Sequence, residues 1–136
     1  MNSIPPEMWE SYRRTEYRVG APLNLTLWVD QKAIGLPDVP WAYITAWNPR
    51  SVPQTDAVNR KKQSELEARL NSMDVRHIFC AASDSTQAWP DEEGVVALGL
   101  EREVALELGR EFDQNAILVG LGEGIVELVQ CKNPQK

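Results

Sequence analysis

The sequence predicts an α+β two-layer sandwich over residues 1–136, read as one globular domain: a mostly antiparallel sheet of about six or seven strands, two main helices and a short N-terminal helix. Three observations predict it. Leu23, Leu25, Leu27 and Val29 alternate strictly with Asn24, Thr26, Trp28 and Asp30, which is the period of a half-buried strand. Two stretches, 55–72 and 100–112, carry apolar residues at helical spacing. The order of elements is a run of strands, a helix, two strands, a helix and a terminal hairpin. A doubly wound parallel sheet would need regular helix crossovers, which this order lacks.

Each element has its own signal. Residues 5–15 open with Pro5-Pro6, tolerated in a first helical turn, and carry Met8, Trp9 and Tyr12 at helical spacing. Glu16 to Gly20 reads as a brief strand, followed by the alternating strand 23–30 and a loop, 31–40, punctuated by Gly, Pro and Asp. In the strand 41–47, Ala42, Ile44 and Ala46 share one face, small enough to admit a helix closely. Trp41, Tyr43, Thr45 and Trp47 share the other, which needs a cover: the N-terminal helix, a second subunit or a ligand.

Thr55 or Asp56 can cap the helix 55–72, whose stripe runs through Leu66, Leu70 and Met73. Residues 75–82 read as a strand, 83–93 as a polar loop and 95–98 as a short strand. The second helix, 100–112, turns Val104, Ala105, Leu108 and Phe112 inward. Strands 116–119 and 125–129 are joined through Gly120, Gly122 and Gly124. Those glycines lie between two strands with no helix following and Glu123 among them, the wrong setting for a dinucleotide fingerprint.

Composition narrows the function classes. A chain with 43% hydrophobic and 25% charged residues is typical of soluble globular proteins. No apolar run approaches the ~20 residues of a membrane span. The N-terminus lacks the basic start and apolar stretch of a signal peptide, so a cytoplasmic address is expected. A net charge of −6 disfavours nucleic acid. Local basic clusters lie at Arg13, Arg14 and Arg18 and at Arg60, Lys61 and Lys62; the second precedes Glu65 and Glu67 on a helix and reads as a solvated face. Cys80 and Cys131 read as free, buried thiols. His77, the sole histidine, lies three residues before Cys80 in a strand, so the two face opposite ways and make no catalytic pair. No metal or cofactor is expected.

Four polar clusters interrupt the core pattern. The first ends the strand 41–47: Thr45, Asn48, Arg50 and Ser51, with Trp47 beside them. The second is Asn59, in the first turn of the first long helix and on its inner stripe. The third is Asp91, Glu92 and Glu93 next to Trp89; the fourth is Asp113, Gln114 and Asn115. Each has a plain reading. Asn-Pro initiates turns, Asn59 can cap backbone, an acidic run before a glycine is a solvated loop, and Asn tolerates a left-handed helix end. The sharper reading is convergence. Arg50 would supply a donor fork for an anion, and Glu93 a general base or an acceptor. Asn48, Gln114 and Asn115 would add directional hydrogen bonds, and Trp47 or Trp89 an apolar wall.

The segments Ile-Thr-Ala-Trp-Asn-Pro-Arg-Ser (44–51), Trp-Pro-Asp-Glu-Glu-Gly (89–94) and Phe-Asp-Gln-Asn-Ala-Ile-Leu (112–118), with Asn59, resemble a bacterial family, domain-of-unknown-function family 3293. The resemblance spans roughly residues 16–130. It implies a compact bacterial cytosolic α+β domain whose signature residues correspond to Asn48, Pro49, Asn59, Glu93, Gln114 and Asn115. It carries over no activity.

Two functions follow. One is a domain binding a small polar or anionic metabolite or nucleotide, with the enzyme question open. The other is an interaction module or homodimer using the aromatic face of Trp41, Tyr43 and Trp47, continued by Trp28. Stacking of a single-stranded nucleic acid on that face is a third, minor reading, weakened by the negative charge.

Overall fold

The computed structural model describes residues 4–49, 52–84 and 91–131. Its elements are α1 (Pro6–Arg13), β1 (Thr15–Val19), β2 (Leu25–Leu27), β3 (Pro40–Ile44), α2 (Asp56–Ser72), β4 (Arg76–Asp84), β5 (Glu92–Leu98), α3 (Arg102–Glu111), β6 (Ala116–Leu121) and β7 (Glu127–Gln130). The seven strands form one sheet in the order β2-β1-β4-β5-β3-β6-β7, antiparallel at every pairing. The α+β class and the short N-terminal helix are as the sequence predicts. No helix among the described residues is long and apolar enough to cross a membrane.

The period-two rule sorts the strands into two cores. Ala42, Ile44, Val95, Ala97, Ile117 and Val119 face α2 and α3, where they meet Leu66, Leu70, Ala105 and Leu108. The small side chains of β3 let α3 settle against it, as its alanines suggest. The opposite face carries Tyr17, Trp41, Tyr43, Ile78, Val96 and Leu118.

What covers that second face is the sheet itself. Past β2 the chain crosses to the far edge, where Asp30 N donates to Val126 O at 2.9 Å, Val126 N to Gln31 O at 2.8 Å and Ala33 N to Gly124 O at 2.9 Å. The two edges therefore meet, and Leu27, Val29, Ala33, Leu36 and Val126 close over the aromatics. Trp41 is 1% exposed and its indole N–H donates to Gly122 O at 2.9 Å.

Several boundaries differ from expectation for local reasons. The strand expected over 23–30 is ladder-bonded only at 25–27, because Asn24 and Asp30 take left-handed backbone angles (φ 50° and 69°). Its burial still alternates, with Leu27 and Val29 inside and Thr26 outside. The strand expected over 41–47 ends at Ile44, since the next amides are bound by α2 side chains. Of the polar loop expected over 83–93, Ser83 and Asp84 instead extend β4 and Glu92 and Glu93 begin β5, while residues 85–90 lie outside the described residues. Thr55 caps α2 by accepting from Val58 N at 3.2 Å.

Candidate functional site

The inner stripe of α2 is apolar only in its second half. Its first half presents Asn59 and Gln63, 1% and 4% exposed, to the end of β3. Gln63 Oε1 accepts from Ala46 N at 3.1 Å and Asn59 Oδ1 from Asn48 N at 2.8 Å. Two side-chain amides thus replace the neighbouring strand that these backbone groups have left, as buried N–H groups require.

Asn48 sits at the turn with φ 46°, a left-handed angle that Asn tolerates better than most residues. Its Oδ1 accepts from Gln54 N at 2.9 Å and from Asn59 Nδ2 at 2.9 Å, and its Nδ2 donates to Glu92 Oε2 at 3.0 Å. The orientation has no ambiguity. A backbone N–H can only donate, so Oδ1 must face Gln54 and the NH₂ must face Glu92. The same logic on Asn48 N orients Asn59. A relay runs from the start of α2 through Asn59 and Asn48 to one carboxylate.

That carboxylate looks into a cavity of about 530 Å³ at one end of the concave face. Tyr17, Tyr43 and Leu118 line it from the sheet, and Met8 and Tyr12 from α1. Trp47, Asn48 and Asn59 line it from the β3–α2 junction, and Gln114 and Asn115 from the turn before β6. Gln114, buried, donates from Nε2 to Trp47 O at 3.3 Å and Phe112 O at 3.2 Å, tying the ends of β3 and α3 together. Asn115 Nδ2 reaches Tyr12 OH at 3.2 Å and Met8 Sδ at 3.5 Å, which holds α1 against the opening. Thr45 donates to Glu93 O and accepts from Trp47 N at 2.9 Å, so its hydroxyl is occupied by backbone.

The structure therefore brings Thr45, Trp47, Asn48, Asn59, Glu92, Gln114 and Asn115 to one cavity. Glu93, the expected general base, is not among its lining residues. In β5 it shares the face of Val95 and Ala97, turned toward the helices, and its carboxylate meets Arg60 Nη1 at 3.4 Å. Glu92, one residue earlier, takes the concave face by the alternation of a strand. Arg50, Ser51 and Trp89 lie outside the described residues. Arg60 also sits over the Trp47 ring, 5.9 Å from its centroid. A smaller concavity of about 270 Å³ between the C-terminal parts of α2 and α3 holds Lys62, Glu65, Arg69 and Glu111, paired with one another as a solvated cleft.

Sequence reasoning missed Tyr43 and Tyr17 as site residues, treating the aromatic face as needing a cover. Their rings meet edge-on at a centroid distance of 5.0 Å. The Tyr43 hydroxyl is buried without a hydrogen-bond partner. Burial pushes both phenols up, and the neighbouring Glu92 charge adds to this. For Tyr43 the adjacent Thr45 acts weakly in the opposite sense, but its hydroxyl bonds go to Glu93 O and Trp47 N. Because an orphaned buried hydroxyl is a cost, Tyr43→Phe is expected to stabilise the fold by about 1 kcal/mol in urea denaturation.

Burial raises the Glu92 carboxyl above its ordinary range, opposed by the Asn48 hydrogen bond. No cation among the described residues pairs with it. A raised carboxyl binds its proton more tightly in the folded than in the unfolded state. The corresponding stability is present below the ordinary value, about 4.3, and is lost as pH rises through the raised one. Glu92→Gln, which keeps an oxygen for Asn48, is expected to abolish that loss and to be at least as stable at pH 7. Denaturation midpoints at pH 4 and pH 8 measure it; an unchanged pH dependence in the variant would refute the assignment.

Cys80 and Cys131 are buried and free, as expected, with burial pushing both thiols up to about 12, too high for a nucleophile. Among the described residues no group of three His, Cys, Asp or Glu side chains is placed to hold a metal ion.

Comparison with curated proteins and with solved structures found no match. A family model described as "Protein of unknown function (DUF3293)" matches residues 44–117. That stretch runs from the end of β3 into β6 and carries Asn48, Asn59, Glu92, Gln114 and Asn115, whereas α1, β1 and β2 lie before it. The chain belongs to the DUF3293 family of proteins of unknown function.

Proposed function

We propose that this chain binds a small organic molecule in the cavity between α1, the concave sheet face and the start of α2. One observation carries the reading: a carboxylate, Glu92, with no countercharge among the described residues, held in that cavity by the Asn59–Asn48 relay. Placing an unpaired carboxylate there costs stability, and a perturbed ionisable group in a cleft is a candidate functional site. A volume of about 530 Å³ suits a metabolite-sized ligand. The same carboxylate is the group that would take a proton from a bound N–H or O–H, should turnover follow binding.

The test is a thermal-shift screen of metabolites against the wild type and Ala116→Trp, whose indole would fill the cavity from the start of β6. Ligands that raise Tm in the wild type and not in the variant support the reading. Shifts of equal size in both proteins would locate binding elsewhere.

The aromatic face does not favour the interaction-module reading, because Trp41, Tyr43 and Trp47 are 1%, 5% and 7% exposed within one chain.

A further inference from the structure

We infer that the cavity selects a compact organic cation bearing N–H donors, such as an amidine, a guanidine or a primary ammonium on a small apolar body, held at the Glu92 carboxylate. This rests on the cavity-binding reading and narrows it to a chemical class.

The first argument is charge. The described residues lining the cavity include the carboxylates of Glu7, Asp56, Asp91 and Glu92, and no Lys, Arg or His. Three of the four are accounted for. Asp91 pairs with Arg18 at 2.9 Å. Glu7 and Asp56 lie in the first turns of α1 and α2, where an acidic side chain offsets the helix dipole. Among the described residues Glu92 has neither a cation nor a helix end. An anionic ligand would meet it with no described cation to offset the repulsion, and a neutral carbonyl would leave it unpaired.

The second argument is the hydrogen-bonding inventory. Asn48 occupies Glu92 Oε2 alone, and Oε1 accepts nothing from the described residues. Tyr43, 5% exposed, lines the same cavity, but its hydroxyl is buried. Glu92 Oε1 can therefore accept from a ligand N–H. The third argument is the wall. Tyr12, Tyr17, Tyr43 and Trp47 surround the cavity with rings whose faces attract cations. The anion-binding expectation rested on Arg50, which lies outside the described residues.

The experiment titrates benzamidine, benzamide and benzoate, three ligands of one shape and different charge, against the full chain by ligand-observed NMR. Benzamidine is expected to bind at least about tenfold more tightly than benzamide, with benzoate not binding, reflecting one charge-assisted hydrogen bond. Glu92→Gln should cost benzamidine about tenfold and leave benzamide unchanged. Ala116→Trp should abolish binding. Benzoate or benzamide binding as well as benzamidine, or benzamidine binding unaffected by Glu92→Gln, overturns the class and leaves the cavity reading standing. Benzamidine binding that survives Ala116→Trp places it on surface carboxylates and also overturns the class. A chain that yields cavity-dependent hits in the metabolite screen but binds none of the three overturns the class alone. Silence in both experiments removes the cavity reading itself.

Discussion

Asn48→Asp is expected to destabilise the fold by about 3 kcal/mol at neutral pH, although it changes one NH₂ into one oxygen. The aspartate side chain keeps the acceptor for Gln54 N and Asn59 Nδ2 and tolerates the left-handed angle. What it loses is the donor toward Glu92, at present 3.0 Å away. Two carboxylates would then face each other in a partly desolvated setting; breaking a fully buried ion pair costs about 3–5 kcal/mol, and this half-buried like-charge pair is expected at the lower end. The sign of the pH dependence follows. The second carboxylate raises Glu92 further, so the lost stability returns as pH falls and the shared proton bridges the two groups.

Adding Glu92→Gln to that variant supplies an NH₂ to the introduced carboxylate and is expected to recover most of the loss. Urea denaturation of the two single variants, the double variant and the wild type closes the cycle. Additive effects would mean that Asn48 and Glu92 act independently, and the relay would not exist as described.

Gly94→Val is expected to cost about 2–3 kcal/mol and to close the cavity floor. Gly94 lies within β5, opposite Cys80 on β4, at a position where Val is ordinarily the better strand former. The obstacle is Tyr43: a Cβ on residue 94 would come within 2.6 Å of its ring and 2.8 Å of its hydroxyl. The ring has little room to yield, being 5% exposed and packed edge-on against Tyr17. Replacing Tyr43 by Leu, which is shorter, should restore part of the stability in the Gly94→Val background while leaving the cavity altered. Denaturation midpoints check the first effect, and loss of the ligand-induced Tm shift checks the second. If Gly94→Val proved neutral, the close approach of the ring to the β5 backbone would be wrong.

Much of this site could be read from residue types alone, because each polar residue broke a pattern. Asn59 stood on the inner stripe of a helix whose later positions, Leu66 and Leu70, are fully buried. Asn48 ended an aromatic strand, and Asp113 marked the end of α3, which the structure closes with Gln114 N donating to Gly109 O at 2.8 Å. The choice between Glu92 and Glu93 was not readable from them. An acidic pair before a glycine looks like a loop, and a loop gives neither residue a fixed direction. Once β5 is seen to begin at Glu92, alternation decides the matter, since Glu92 follows the parity of Gly94 and Val96.

The cover of the aromatic face escaped for a different reason. Its decisive bonds join residues 30–33 to 124–126, segments distant in sequence with no local signal for each other.

The sequence by itself determined what short-range periodicity and backbone chemistry can determine. The two-residue alternation of Leu23 to Asp30 sorted inside from outside, the stripe of 55–72 gave a helix with a cap at Thr55 or Asp56, and the glycines after β6 made a turn. Only the tertiary structure decided which face of β5 looks into a cavity, that the sheet covers its own aromatics, and that α1 walls the opening. Those outcomes depend on strand order and curl. They are set by contacts between distant segments whose combined burial outweighs any one segment's local preference.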